Sequence, residues 1–269
     1  MALGVCVCVT LLLSTVTGSH SRSSIVGGED AARGSWPWMV YLYITDGTHS
    51  FPCGGSLINS QWVLTAGHCI FNPPLVSPDA DRSYVRVGEL KLRRPTGVSF
   101  SIRRFLLHPD YRLTTDTVFN DIALVQLQEA VPFSDTVAPV GLPSPRDVFS
   151  ANAECWVTGW GLVTENRKLG GDQTLQQLKL PLVDGATCRR IYPNSNHNML
   201  CAGYLQGGKD ACTGDSGGPL VCKSFGQFVQ VGVVSFGHGC ARRDYAGVYT
   251  RVNSYATFIK DAIRTHGSS

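Results

Sequence analysis

The stretch Asp210-Ala211-Cys212-Thr213-Gly214-Asp215-Ser216-Gly217-Gly218-Pro219 sets a serine among glycines. A serine hydroxyl is a weak nucleophile until a neighbouring base takes its proton. Glycines at 214, 217 and 218 let the backbone turn sharply and approach a substrate, so the N–H groups of Gly214 and Ser216 can converge on a developing oxyanion. Such a loop suits acyl transfer. Upstream, Thr65-Ala66-Gly67-His68-Cys69 supplies an imidazole, and Asn120-Asp121-Ile122-Ala123-Leu124 supplies a carboxylate at the entrance of an apolar run. Singly, a histidine beside a cysteine or an aspartate before a strand reads as structural. Their chain order is His, Asp, Ser.

Groups so far apart in the chain need a rigid scaffold to meet. With 269 residues, 43% of them hydrophobic, the chain can bury a substantial core, as one large domain or two small ones. A formal net charge of +3 gives no general field for nucleic acid. Short β-rich runs dominate: Trp62 to Thr65, Ala123 to Leu127, Cys155 to Thr158, Gln177 to Leu182 and Phe228 to Phe236, separated by Gly, Pro and Asn turns. That pattern predicts an all-β barrel or sandwich. Ser254 to Arg264 differs, because Tyr255, Phe258, Ile259, Ala262 and Ile263 recur at helical spacing behind an Asn253 or Ser254 cap. Of ten cysteines, Cys6 and Cys8 fall in the apolar start, and the other eight form an even set suited to an oxidising compartment. Eight cysteines allow about a hundred pairings. None of the eight are spaced as metal ligands usually are, so no metal or cofactor is expected.

The serine loop, the histidine and aspartate segments, Ile25-Val26-Gly27-Gly28, Val157-Thr158-Gly159-Trp160-Gly161 and Gly247-Val248-Tyr249-Thr250-Arg251-Val252 occur in one order. In this the chain resembles the chymotrypsin-like serine proteases of the S1 (trypsin-fold) family, over Ile25 to about His266. The resemblance implies two packed six-stranded antiparallel β-barrels dividing near 139–145, followed by a C-terminal α-helix. It implies that His68, Asp121 and Ser216 form a catalytic triad, with Gly214 and Ser216 as the oxyanion hole. It also implies disulfides Cys53 to Cys69, Cys155 to Cys222, Cys188 to Cys201 and Cys212 to Cys240.

By the same resemblance, Asp210 lies on the floor of the primary specificity pocket, with Ala211, Ser235, Gly237 and Gly247 around it. A carboxylate there favours Arg or Lys before the cut bond; a solvated loop aspartate is the plain alternative. Many relatives carry Ser where this chain has Ala211, so Arg is expected to be preferred over Lys. Asp215 is expected to pair with the ammonium of a new N-terminus at Ile25, which implies a zymogen; a simple turn residue is the alternative. Protein substrates, protein inhibitors and an activating peptidase follow as partners.

Residues 1–18 read as a signal peptide and 19–24 as a short activation propeptide preceding a peptidase domain at 25–269, although no Lys or Arg precedes the apolar core. An uncleaved anchor competes, but the run is short for a bilayer span of about 20 residues. The expected product is secreted and extracellular, with granule storage a further option, and is not membrane-bound. Ser24 departs from the Arg or Lys after which tryptic activators cut. Cutting after Arg22 with trimming of Ser23-Ser24 and direct cutting after Ser24 stay equally open. Phe71 to Ser83 and Leu162 to Thr174 look like the cleft-bordering loops of the tryptase and prostasin branch. Glu89 resembles a first calcium ligand, but the basic stretch after it lacks a second acid, so no calcium is expected. Arg82, Arg86, Lys91, Arg93, Arg94, Arg103 and Arg104 form either a solvated basic face or an exosite for a heparin-like polyanion. The competing functional class is a catalytically silent binding protein on the same scaffold.

Overall fold

A computed structural model describes residues 25–73, 77–144 and 146–267; the signal and propeptide expectations lie outside the described residues. The first lobe contains strands β1 (Met39–Thr45), β2 (Ser50–Leu57), β3 (Trp62–Thr65), β4 (Tyr84–Val87), β5 (Val98–Leu107) and β6 (Ala123–Leu127). They close into an antiparallel barrel in the order β1-β2-β3-β6-β5-β4. Alternation explains the closure: Val40, Leu42 and Ile44 of β1 point inward to meet Val63, Val85, Ile102, Leu124 and Leu127 in one buried cluster.

The second lobe contains β7 (Cys155–Gly159), β8 (Gln176–Leu180), β9 (Leu182–Val183), α1 (Gly185–Ile191), β10 (Met199–Ala202), β11 (Pro219–Ser224), β12 (Gln227–Phe236) and β13 (Gly247–Arg251). With the short strand Glu29–Asp30 at one edge, its sheet order is β8-β7-β11-β12-β13-β10-β9. β8, next to that edge strand, runs through Pro181 into β9 at the opposite edge. Proline has no N–H to give to a ladder, so the pairing switches partner there and the sheet curls upon itself. Six longer strands thus make a curled half-barrel, with β9 and Glu29–Asp30 as short additions. The expected run Gln177 to Leu182 is accordingly two strands, broken at the residue that cannot donate.

Between the lobes, Trp36, Trp38, Met39, Trp160 and Val221 form a third cluster, and the crossing chain bonds to both lobes: Val140 N–H to Leu57 C=O and Gln230 N–H to Gly141 C=O, each 2.9 Å. The C-terminal helix α2 (Ala256–Thr265) buries Ile259 and Ala262 against the first barrel. Its start differs from the expected Asn253 or Ser254 cap. Residues Val252–Tyr255 form a 3-10 turn, Tyr255 stands at the cap position without a side-chain capping bond, and the Asn253 amide donates to Asp147 C=O instead (3.2 Å). Four disulfides join Cys53 to Cys69, Cys155 to Cys222, Cys188 to Cys201 and Cys212 to Cys240, the pairing the resemblance implied. No helix among the described residues is long and apolar enough to cross a membrane.

Candidate active site

His68 sits in a 3-10 turn, Gly67–Cys69, directly after β3. The Cys53–Cys69 disulfide ties that turn to β2. Gly67 is required for space: a Cβ there would stand 2.6 Å from Tyr111 Cδ2 and 3.0 Å from Leu107 Cδ1, and the Tyr111 hydroxyl is anchored on Phe71 C=O (2.8 Å). Asp121 enters β6 from the other side and is only 1% exposed. Its Oδ1 accepts the His68 backbone N–H at 2.8 Å, and its Oδ2 lies 2.8 Å from His68 Nδ1. Since an ionised carboxylate can only accept, Nδ1 carries the proton and Nε2 keeps a free lone pair. The Ser235 hydroxyl also donates to Asp121 Oδ2, and Thr250 Oγ1 donates to the Asp121 backbone C=O (2.7 Å).

These contacts set the electrostatics. Burial pulls the His68 imidazole down, but the charge and hydrogen bond of Asp121 pull it up further, so it stands above its ordinary 6.5. Burial pushes the Asp121 carboxyl up, yet His68 and Ser235 outweigh that and hold it below 3.8. Asp121 is therefore an anion poised beside a base.

Ser216 lies between Gly214, at φ +96°, and Gly217, at φ +77°. The loop is fixed by Asp215 N–H to Cys212 C=O, Gly218 N–H to Asp215 C=O and Gly217 N–H to Val234 C=O (all 2.9 Å), and by Gly54 N–H to Ser216 C=O (2.8 Å). Among the described residues no acceptor takes the N–H of Gly214 or Ser216. A Cβ on Gly217 would stand 2.6 Å from Gly54 O and 3.1 Å from Cys69 Sγ. The neighbour of Ser216 thus abuts the neighbour of His68. No direct hydrogen bond joins Ser216 to His68; substrate commonly tightens such a contact.

A hollow of about 310 Å³ opens beside Ser216, and Asp210, Ala211, Ser235, Gly237 and Gly247 all line it. Asp210 is 6% exposed; its Oδ2 accepts from Ala241 N–H at 3.2 Å, and its buried Oδ1 has no partner. Burial is the chief reason its carboxyl is pushed up to about 6. A Cβ on Gly247 would come within 3.0 Å of that Oδ1, so glycine keeps the carboxylate open to the hollow. The Cys212–Cys240 disulfide joins the two walls.

Ile25 is fully buried in the core of the second lobe, and Val26 C=O accepts the Asp210 N–H (3.1 Å). Asp215, also fully buried, accepts from Gly161 N–H (2.8 Å) and Cys212 N–H (2.9 Å). Those two bonds do not offset desolvation, and its carboxyl is pushed up to about 7.

Two groups at the site escaped the reading of the sequence. Ser235 was singled out for its pocket position, not for a hydroxyl that reaches Asp121. Glu165 lines the mouth of the hollow and pairs with Arg242 through Nε (2.7 Å) and Nη2 (3.0 Å), while accepting Cys240 N–H (3.2 Å). Nothing local in the sequence ties positions 165 and 242 together. Elsewhere, Arg82, Arg86, Lys91 and Arg94 of the basic cluster are paired with Asp79, Glu89 or Asp172. Glu89 is turned onto its own loop, accepting from Leu90 N–H (3.0 Å) and Lys91 N–H (3.1 Å).

Residues 25–259 match the family model described as Trypsin.

Proposed function

The chain belongs to the trypsin family of serine proteases, and we propose on that footing that its mature form is a secreted endopeptidase cutting after Arg or Lys. The observation that carries the specificity is the Asp210 carboxylate: buried, with one oxygen unpartnered, at a hollow that also borders Ser216. A guanidinium entering that hollow supplies the missing charge and donors, which an apolar side chain cannot. Ala211 contributes no hydroxyl to complete the shell of a lysine ammonium, so Arg is preferred.

His68 Nε2 takes the Ser216 proton as the hydroxyl attacks the carbonyl, Gly214 and Ser216 N–H hold the oxyanion, and the imidazolium then protonates the leaving amine. Asp121 keeps the imidazole in the reactive tautomer and stabilises its cation. Water repeats the sequence on the acyl-enzyme. The mechanism is the general one of the Ser-His-Asp triad.

Asp215 couples this machinery to processing. A buried carboxylate raised to about 7 wants a cation, and a cut before Ile25 creates an ammonium on a residue already in the second core. We read residues 1–18 as signal peptide, 19–24 as propeptide and 25–269 as the peptidase, its barrels dividing near 139–145. An active secreted protein that starts at Ser23 would sink the trimming of Ser23-Ser24, for which direct cutting after Ser24 is the alternative. The four disulfides suit an extracellular product, and protein substrates and inhibitors are the partners of this fold. Retention on heparin that falls with salt tests the polyanion exosite on the basic cluster.

Profiling a peptide library with the processed protein tests the whole reading. Cleavage confined to Arg and Lys sites, Arg first, is expected; cleavage after apolar or acidic residues, or none, overturns it.

A further inference from the structure

Glu165 belongs to the loop Leu162 to Thr174, far in sequence from the walls of the primary hollow, yet it lines the mouth of that hollow. Its Oε1 accepts both Arg242 Nε (2.7 Å) and Cys240 N–H (3.2 Å), and its Oε2 accepts Arg242 Nη2 (3.0 Å). The carboxylate therefore grips the chain on both sides of Ala241. The Arg242 hydrogen bond, followed by the Cys240 N–H, holds the Glu165 carboxyl below its ordinary 4.5, so the grip is ionic at neutral pH. The clamp has a fixed base, because Leu162 N–H donates to Thr213 C=O and Val163 N–H to Arg167 C=O, each 2.8 Å, and Glu165 sits in the turn so closed. Gly239 leaves room for it: a Cβ there would run into both Glu165 Oε1 and Arg242 Nε.

Ala241 joins the wall of the hollow to its floor. Its N–H donates to Asp210 Oδ2 (3.2 Å), and its C=O accepts Gly208 N–H (2.9 Å). Yet it lies at φ +55°, a left-handed conformation in which the Cβ of an L-residue crowds the following carbonyl oxygen, so bonds to its neighbours must hold it there. The Cys212–Cys240 disulfide fixes one side chain of this segment but leaves the peptide planes from 240 to 242 free to turn. Resting on the proposed protease reading, we propose that Glu165 is a positioning residue for specificity. By clamping Cys240 N–H and the Arg242 side chain it holds Ala241, and through Ala241 it aims the Asp210 carboxylate. It thus tightens the binding of a guanidinium in the hollow and takes no part in bond breaking at Ser216.

The test uses the processed protein with three probes: an Arg peptide amide, benzamidine as a cation that fills the pocket alone, and a fluorophosphonate without a basic side chain that reports on Ser216 alone. Glu165→Ala should raise KM for the Arg amide and the inhibition constant of benzamidine together, about three- to tenfold, with kcat unchanged. The fluorophosphonate should label Ser216 at the parent's rate, which also shows that the variant is folded. Glu165→Gln keeps an acceptor for Cys240 N–H and should lose less. Because Arg242 acts through Glu165, adding Arg242→Ala to Glu165→Ala should shift neither constant further. An unchanged KM and inhibition constant in Glu165→Ala overturns the positioning role. So do losses that fall on kcat or on the labelling rate, or that add across the two residues. A parent protein that cuts no Arg peptide overturns the protease reading, and this inference with it.

Discussion

Replacing Asp210 by Asn separates what the carboxylate does for substrate from what it does to the fold. Its carboxyl is pushed up to about 6 against an ordinary 3.8, chiefly through burial. Two units of upward shift correspond to about 3 kcal/mol by which the ionised side chain destabilises the folded chain. The sign follows from the direction. A raised carboxyl exacts no penalty below its unfolded value near 4, accumulates it as pH climbs from 4 to 6, and carries it in full above 6. Asparagine removes that penalty but sets an amide donor where Oδ1 now has no partner, an offset of about 1–3 kcal/mol. At pH 8 Asp210→Asn should therefore match the parent or exceed it by up to about 2 kcal/mol, a melting temperature higher by at most about 8 °C for a chain of this size. At pH 4 the order should reverse. Catalysis should move the opposite way, since losing one partner of a buried charge pair costs about 2–5 kcal/mol. That predicts kcat/KM for an Arg amide about thirtyfold to several-thousandfold lower. Thermal melts at both pH values and steady-state kinetics at pH 8 measure all three quantities. Unchanged turnover of the Arg amide, or a melting difference that does not depend on pH, would refute the reasoning.

The His68 imidazole, raised above 6.5 by Asp121, must be neutral to accept the Ser216 proton. Activity should thus fall as pH drops through that raised value, and a profile with its acid limb at or below 6.5 would contradict the pairing. Gly67→Ala should destabilise the protein by about 1–3 kcal/mol, because the new methyl meets Tyr111; Gly67→Ala with Tyr111→Leu should recover part of that loss in denaturant titrations. Replacing Cys155 and Cys222 together by Ala opens a crosslink spanning 67 residues, for which loop-closure entropy gives about 4 kcal/mol. A denaturation midpoint equal to the parent's would show that the pairing of β7 with β11 suffices without it.

What the sequence made legible divides along local and distant physics. Trp62–Thr65 and Ala123–Leu127 are strands with the expected bounds, because short apolar runs between turns announce themselves. Met39–Thr45 and Ser50–Leu57 were not singled out, since Tyr, Pro and Gly interrupt their alternation and only the closed barrel explains them. Helix α1 was missed because at seven residues it shows hardly two turns, although Asp184 caps it through Ala186 N–H and Thr187 N–H. Ser216, His68, Asp121 and Asp210 stood out by local motif and resemblance. The Ser235 hydroxyl on Asp121 and the Glu165 pair with Arg242 depend on contacts between distant segments, for which one sequence carries no periodic signal.

Central to the account is a Ser216 hydroxyl that His68 makes nucleophilic. Treating the processed protein with a fluorophosphonate and mapping the adduct by mass spectrometry tests this directly. A single phosphonylated site at Ser216, lost in Ser216→Ala and strongly slowed in His68→Ala, is the predicted result. A processed, folded protein that takes up no label at Ser216, or takes it up as fast without His68, would contradict it.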